Sequence, residues 1–280
     1  PYTTLFRSFT AYLAAARDAG RADVTPGRFL LPGDLAGSPV LTFAPLPRPA
    51  LTPRASLWRE MERRYDAYKA RVVRPFFRDH FARIDRQIVL ADVLGAIHQG
   101  PVAVEDLRRT LAEVLAAFRP GRNGWLSGLL GARRVERILF AATKADHLHH
   151  QQHPALTAIT SALLAEARAR ADFHGARTGA MSLAALRTTV EETVTRDGAE
   201  VPAVRGTLLA TGRPALMYPG ALPEDPARVL APARQGAEVW RDADYHLMAF
   251  APARVNLKPD EGPPHIRLDR AVEFLIGDLL

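Results

Sequence analysis

Short apolar runs alternate with amphipathic segments in the middle of the chain. The runs cover residues 87–93, 135–142 and 179–186, and each is short enough for a buried strand. Residues 104–118 place leucine, valine and phenylalanine on one helical face, and residues 154–171 predict a second helix. Strands and helices alternating at this spacing are typical of a parallel sheet with right-handed crossover helices. The pattern therefore predicts an α/β fold with a doubly wound parallel sheet.

The region before these strands is less regular. Residues 24–53 are dense in proline and glycine and predict a loop, with a short strand at 40–43. Residues 56–77 predict a long charged helix with Ser56 as its N-cap. Pro75 is expected to end or kink this helix, because it lacks the backbone N–H and crowds the preceding turn.

The pattern changes again after residue 195. Asp197-Gly198 is a hairpin turn signal, and residues 201–210 predict a strand that follows it. Residues 214–234 are rich in proline and are expected to be mostly irregular. Residues 268–280 close the chain as an amphipathic helix.

The first eight residues have an unusual origin by this interpretation. Pro-Tyr-Thr-Thr-Leu-Phe-Arg-Ser is the translation of CCC TAC ACG ACG CTC TTC CGA TCT, the end of a common sequencing-library adaptor. We therefore expect residues 1–8 to be foreign and exclude them from fold reasoning. Residues 9–19 then form the end of a helix, and the natural protein is expected to be longer at its N-terminus. The alternative is an ordinary amphipathic start.

Composition and charge exclude several classes of protein. No stretch of the 280 residues approaches the roughly 18 consecutive apolar residues that a membrane-spanning helix needs. The chain has no cysteine, which excludes a disulfide-stapled domain and a thiolate metal site and fits a cytoplasmic protein. Its net charge is +7, but the basic residues are scattered and form no stripe with interleaved aromatics. We therefore expect no nucleic acid partner.

Candidate chemistry follows the second predicted strand, which leads into Thr143-Lys144-Ala145-Asp146. In a doubly wound sheet, ligands bind at the carboxyl ends of the strands. An aspartate there accepts two hydrogen bonds from guanine, one from N1–H and one from the exocyclic amine. Adenine lacks that donor pair and is rejected. The lysine stem can lie over the base. This pattern is the [Asn/Thr]-Lys-x-Asp signature of GTPases; the alternative is a solvated loop with a capping aspartate.

The ends of the neighbouring strands add to this site. Ser182-Leu183-Ala184 follows the third strand, where a small residue lets a backbone N–H approach the guanine carbonyl. Asp92 ends the first strand, either as a polar group near the nucleotide or as a loop-capping residue.

A histidine-rich segment comes directly after Asp146. His149 and His153 are four residues apart, and His147, His150 and His153 follow at intervals of three, so either set lies on one helical face. Such imidazoles suit zinc, but no further carboxylate ligand is evident nearby. We therefore interpret the segment as a polar helix start and predict no metal site.

Longer strings resemble a known family. They are PGRFLLPGDLAG at 26–37, RPFFRDHF at 74–81, DRQIVL at 85–90 and LFAATKADH at 139–147. Together they resemble the YcjX-like family of proteobacterial Ras-like P-loop proteins, over nearly all of residues 22–280. The resemblance implies a P-loop NTPase fold of the Ras-like GTPase type with a large helical and irregular insertion. It makes 87–93 the fourth core strand, 139–142 the fifth and 268–280 the last core helix.

The resemblance also implies a missing part. The family's Gly-rich phosphate loop and its Asp-x-x-Gly switch lie upstream of every string above, and no Gly-x-x-x-x-Gly-Lys-[Ser/Thr] occurs here. The N-terminal strands of the sheet are therefore expected to be absent. The Mg²⁺ ligands and the catalytic residues, which remain unknown, are expected in that absent part. We expect these residues alone neither to hydrolyse GTP nor to bind it tightly.

The prediction is thus a GTP-binding and GTP-hydrolysing protein whose C-terminal part recognises guanine, with GTP or GDP and Mg²⁺ as ligands. The alternatives are a non-enzymatic nucleotide-binding scaffold and an ATPase. The resemblance suggests a role in stress response, and the protein partner is left open. The predicted nucleotide-binding residues are Thr143, Lys144, Asp146, Ser182, Leu183 and Ala184. The predicted divisions are 1–8 (adaptor), 9–83 (insertion), 84–190 (GTPase core), 191–263 (irregular and β insertion) and 264–280 (core helix).

Overall fold

The computed structural model describes residues 2–18, 32–51, 53–80, 83–116, 135–196, 198–241, 244–252 and 262–280. The chain divides into two compact units, Pro1–Ile84 and Asp85–Leu280. No helix of the described ranges combines the length and the apolarity that a membrane span requires.

The first unit is helical. The helices of its described residues are α1 (Tyr2–Asp18), α2 (Leu57–Tyr68) and α3 (Arg74–Asp79), with 3-10 turns at Gly33–Leu35 and Pro39–Leu41. Helix α1 begins within the segment assigned to the adaptor. The predicted cap is confirmed, because the Ser56 side chain accepts a hydrogen bond from the amide of Arg59 at 3.4 Å.

The backbone of this unit differs from the sequence prediction at two other places. The strand predicted at 40–43 is wrong: Ser38 accepts from the Val40 amide, and Pro39 starts a 3-10 turn. Phe43 then packs between Tyr65 and Tyr68, with ring centroids 5.3 Å apart in each pair. The helix also passes Pro75 without ending, because a π-helical turn at Lys69–Val73 widens the backbone just before it.

The second unit is built on the predicted parallel sheet. Among the described residues, β1 (Arg86–Ala91), β2 (Arg137–Ala142) and β3 (Arg177–Ser182) pair in parallel in that order. The part of this unit that the structure describes contains the helices α4 (Val93–Gln99), α5 (Pro101–Ala116), α6 (His153–Leu163), α7 (Ala165–Phe173), α8 (Ala227–Arg234) and α9 (Leu268–Ile276). The single helix predicted at 154–171 is divided in two at Leu164. The predicted α/β class and the parallel sheet are confirmed.

Helices cover both faces of the sheet. Leu139 and Ala141 of β2 are fully buried on one face against α9, where Ala271 and Phe274 meet them. Alternation along the strand puts Phe140 on the opposite face, which α6 covers. A Cβ at Gly179 would lie 3.0 Å from the Phe274 ring, so the close approach of α9 favours glycine there.

A second, antiparallel sheet follows. It consists of β4 (Thr189–Arg196), β5 (Ala199–Thr207) and β6 (Pro214–Met217). The predicted strand at 201–210 corresponds to β5, and β4 and β5 form the hairpin that Gly198 turns with a φ of 80°; Asp197 lies outside the described residues. The prediction that 214–234 is mostly irregular is wrong at two places. Residues Pro214–Met217 pair with β5 as β6, and α8 forms despite Pro232 because Val229, Leu230 and Ala233 are buried.

Candidate functional site

The loop after β2 is hydrogen-bonded to the ends of both neighbouring strands. The Thr143 amide donates to the carbonyl of Ala91 at the end of β1, at 2.9 Å. The Ala145 amide donates to the carbonyl of Leu183 just after β3, at 3.1 Å. Between them, Lys144 has a φ of 61°, in the left-handed region that few side-chain-bearing residues adopt. The parallel register therefore brings the three strand ends together and holds Lys144 in an unusual backbone conformation at their centre.

Lys144 reaches across the mouth of the site to Asp92. Its Nζ lies 2.5 Å from Oδ2 of Asp92, and both side chains are close to half exposed. The other oxygen of Asp92 accepts a hydrogen bond from the Gly95 amide at 3.0 Å and so caps α4. Asp92 is therefore both a helix cap and the partner of Lys144.

Asp146 is 4% exposed, and its carboxylate already accepts hydrogen bonds from within the chain. Oδ2 accepts from the amide of Thr188 at 2.8 Å and from its hydroxyl at 2.6 Å. Oδ1 lies 3.4 Å from Nδ1 of His147, and the Asp146 carbonyl accepts from the hydroxyl of Thr189. Burial alone would raise the pKa of Asp146, but the hydrogen bonds from His147 and Thr188 outweigh it and hold the pKa below its ordinary value. The carboxylate is thus ionised at neutral pH.

The Ser182–Ala184 segment is equally well bonded. Ser182 is fully buried, and its amide donates to the hydroxyl of Thr157 at 3.1 Å. The amides of Leu183 and Ala184 donate to the carbonyls of Ala142 and Ile266, at 2.8 and 3.1 Å. No hydrogen bond joins the amides of the next two residues, 185 and 186, to another described residue, and both line the cavity defined below.

His153 and Arg267 connect the two loops. The His153 ring is 2% exposed; its Nε2 lies 2.8 Å from the carbonyl of Ala145, and its Nδ1 lies 3.3 Å from Nη1 of Arg267. The same Arg267 nitrogen donates to Oγ of Ser182 at 2.6 Å. Burial, together with the Arg267 charge, lowers the pKa of His153, so the ring is neutral and donates from Nε2. Sequence analysis assigned no such role to either residue, and no pattern around Arg267 signals it.

A cavity of about 560 Å³ opens between these loops and residues that follow the second sheet. Its polar lining consists of Thr143, Lys144, Asp146, His147 and Thr188. Leu209, Leu247 and Phe250 contribute to its apolar lining, and the Phe250 ring lies 5.3 Å from that of His147. This apolar wall could not be predicted from sequence, because Leu247 and Phe250 lie in a segment without clear periodicity and nothing local places Leu209 beside them.

The histidines do not form either of the sets that helical spacing suggested. His147 turns to Asp146, and His153 turns inward to the Ala145 carbonyl. His149 and His150 face Glu191 on β4 instead, at 3.7 and 2.6 Å from its Oε2.

Comparisons with known proteins agree with this architecture. The model of the YcjX-like family, DUF463, matches residues 2–280. The Ras-like GTPase YcjX of Escherichia coli (strain K12) is 35% identical over 281 residues, which cover 98% of this chain and 58% of that protein. The Ras-like GTPase YcjX of Shewanella oneidensis is 33% identical over 271 residues, covering 93% of this chain and 54% of that protein. The chain thus spans a little over half the length of these relatives.

Proposed function

Because this chain belongs to the YcjX-like family, we propose that it carries the guanine-recognition half of a Ras-like GTP-binding protein. The observation that supports this most is Asp146, a buried, ionised carboxylate in the lining of a cavity at the carboxyl ends of parallel strands. Two relatives carry the name Ras-like GTPase, which makes a guanine nucleotide the expected ligand.

In the proposed complex, the guanine edge displaces Thr188 from the carboxylate of Asp146. Thr188 directs its N–H and its O–H to one oxygen, Oδ2, whereas guanine N1–H and the exocyclic amine donate to the two carboxylate oxygens. An adenine base would displace those donors without replacing them and would leave a buried charge unpaired. Asp146 therefore favours GTP over ATP.

The remaining base contacts come from both loops. Lys144 exchanges its ion pair with Asp92 for a position over the base, its stem against the ring. The amides beyond Ala184 lie where the guanine carbonyl oxygen would be received, and Thr143 with Ser182, Leu183 and Ala184 forms the frame that fixes them. Phe250 and Leu247 supply an apolar surface for the base.

The residues present do not fit the phosphates or Mg²⁺. No Gly-x-x-x-x-Gly-Lys-[Ser/Thr] string occurs in the 280 residues, and we assign no catalytic residue among them. We therefore propose that GTP hydrolysis belongs to the longer protein, whose further strands would pair with the edge of β1.

The test is a change of base preference. In the longer protein that carries this chain, D146N should weaken GDP binding by about 100-fold or more. It should also create binding of a xanthine nucleotide, because the new amide can donate to the carbonyl at C2 of xanthine. The matched control is D269N, since Asp269 is an exposed acid on α9. If D146N still prefers GDP over ADP and XDP as the original protein does, Asp146 does not recognise the guanine base.

A further inference from the structure

We propose that His149, His150 and Glu191 form a site for a divalent transition metal that binds Zn²⁺. His150 Nδ1 lies 2.6 Å from Oε2 of Glu191, and His149 Nε2 lies 3.7 Å from the same oxygen. The three ligand atoms all lie within 4.8 Å of one another. Two imidazole nitrogens and one carboxylate oxygen are a common protein ligand set for zinc, with further positions left to water.

The spacing needs only a small adjustment. With metal–ligand bonds of about 2.0–2.1 Å, tetrahedral ligand atoms lie roughly 3.3 Å apart. His149 and Glu191 are near that spacing, whereas His150 must move back from the carboxylate. The His150 side chain is 64% exposed and can move, while the His149 side chain is 7% exposed and fixed by packing. The site therefore has one rigid and one adjustable imidazole.

Neighbouring groups set the orientation of the ligands. Arg187 Nη2 lies 3.4 Å from Oε1 of Glu191, which leaves Oε2 directed at the two rings. The Arg187 charge opposes a cation, so the ion must be held by ligand bonds rather than by net negative charge. His149 Nδ1 lies 3.4 Å from the Gln151 amide. Metal binding at Nε2 puts the ring proton on Nδ1, and this long contact is then given up.

The position of the site gives the metal a structural effect. Glu191 follows Thr189 on β4, and the Thr189 hydroxyl binds the carbonyl of Asp146. His149 and His150 follow Asp146 in the same loop. A bound ion would therefore fasten β4 to the loop that carries Asp146. The proposal is independent of nucleotide binding, because its geometry and its test involve metal alone.

The experiment is a Zn²⁺ titration of the purified, chelator-treated chain in competition with a chromophoric chelator. We expect one Zn²⁺ per chain at micromolar affinity, and a loss of about tenfold or more in H150A and in E191Q. The control is H246A: the His246 side chain is also 64% exposed and also has an acidic partner, Asp244, at 3.0 Å. Absence of micromolar binding in the original chain, or equal binding in H150A, E191Q and H246A, would overturn the proposal.

A second measurement identifies the ligand atoms without depending on a buried variant. H149A is not used, because removing a buried side chain disturbs folding. Circular dichroism must first show that H150A and E191Q are folded. In the unsubstituted chain, Zn²⁺ should shift the ¹⁵N resonance of Nε2 in His149 and that of Nδ1 in His150. It should leave the ring nitrogens of His153 unchanged. Shifts at other histidines, with none at these two, would assign the metal elsewhere and refute the site.

Discussion

Thr188 directs both of its hydrogen-bond donors to a single oxygen of Asp146, the amide at 2.8 Å and the hydroxyl at 2.6 Å. These residues are 42 positions apart, and the contact links the loop after β2 to the residue before β4. The buried carboxylate is thereby satisfied without any ligand. A base that binds Asp146 must therefore compete with Thr188.

The first prediction concerns this competition. T188V keeps the branched shape of the side chain and removes the hydroxyl that donates to Asp146. A hydrogen bond to a charged group contributes roughly 1.5 kcal/mol, so GDP affinity should rise by about tenfold. The measurement is a fluorescent GDP titration of the longer protein.

The control for this substitution is T178V. Thr178 also donates to an aspartate, Asp172, at 2.8 Å, and neither residue is among those that line the cavity. Its GDP affinity should stay unchanged. A lower affinity in T188V would mean that the hydroxyl positions the carboxylate for the base instead of competing with it.

The second prediction concerns the link between the two loops. H153A removes the donor to the Ala145 carbonyl and leaves a space in a fully packed region. The Ala145 carbonyl keeps the hydrogen bond from the Leu148 amide, at 3.1 Å, so the loss comes from one buried hydrogen bond and from the cavity. Together these should lower the free energy of unfolding by about 2–4 kcal/mol. Urea denaturation of this chain measures the loss. H246A should change it by less than about 0.5 kcal/mol, and an equally small change in H153A would show that the link does not stabilise the fold.

The third prediction is a pH dependence. The pKa of His153 is lowered from its ordinary value of 6.5 by burial, so the unfolded chain takes up the proton at a higher pH than the folded one. The contribution of neutral His153 to the free energy of unfolding is therefore fully present above pH 6.5. It is lost as the pH falls from there toward the lowered pKa. The free energy of unfolding should decline from pH 7.5 to 5.0 in the original chain and decline less in H153Q. Parallel curves for the two would contradict this.

The fourth prediction concerns these 280 residues on their own. They contain groups suited to the base but no phosphate-binding string, and phosphate contacts supply much of the binding energy in P-loop proteins. Titration with fluorescent GDP should therefore give an affinity weaker than micromolar. Micromolar binding would show that residues outside the expected phosphate loop hold the nucleotide.

Much of the framework could be predicted from sequence, because periodicity and end signals are local. The buried run before Thr143 predicted β2, and the alternation of strands and helices predicted the parallel sheet. The placement of Lys144 at a strand end follows from the same pattern. Helix α8 could not be predicted in this way, because Pro232 argues against a helix until Val229 and Leu230 are buried.

The sequence by itself determined which residues lie at the strand ends and the kind of ligand that their chemistry suits. Only the tertiary structure decided what those residues contact. Thr188 reaches Asp146, Arg267 reaches Ser182 from 85 positions away, and Glu191 meets His149 and His150 across the loop. Such contacts depend on how loops close over a packed sheet. No local periodicity encodes them, because the partners are brought together by the burial of other residues.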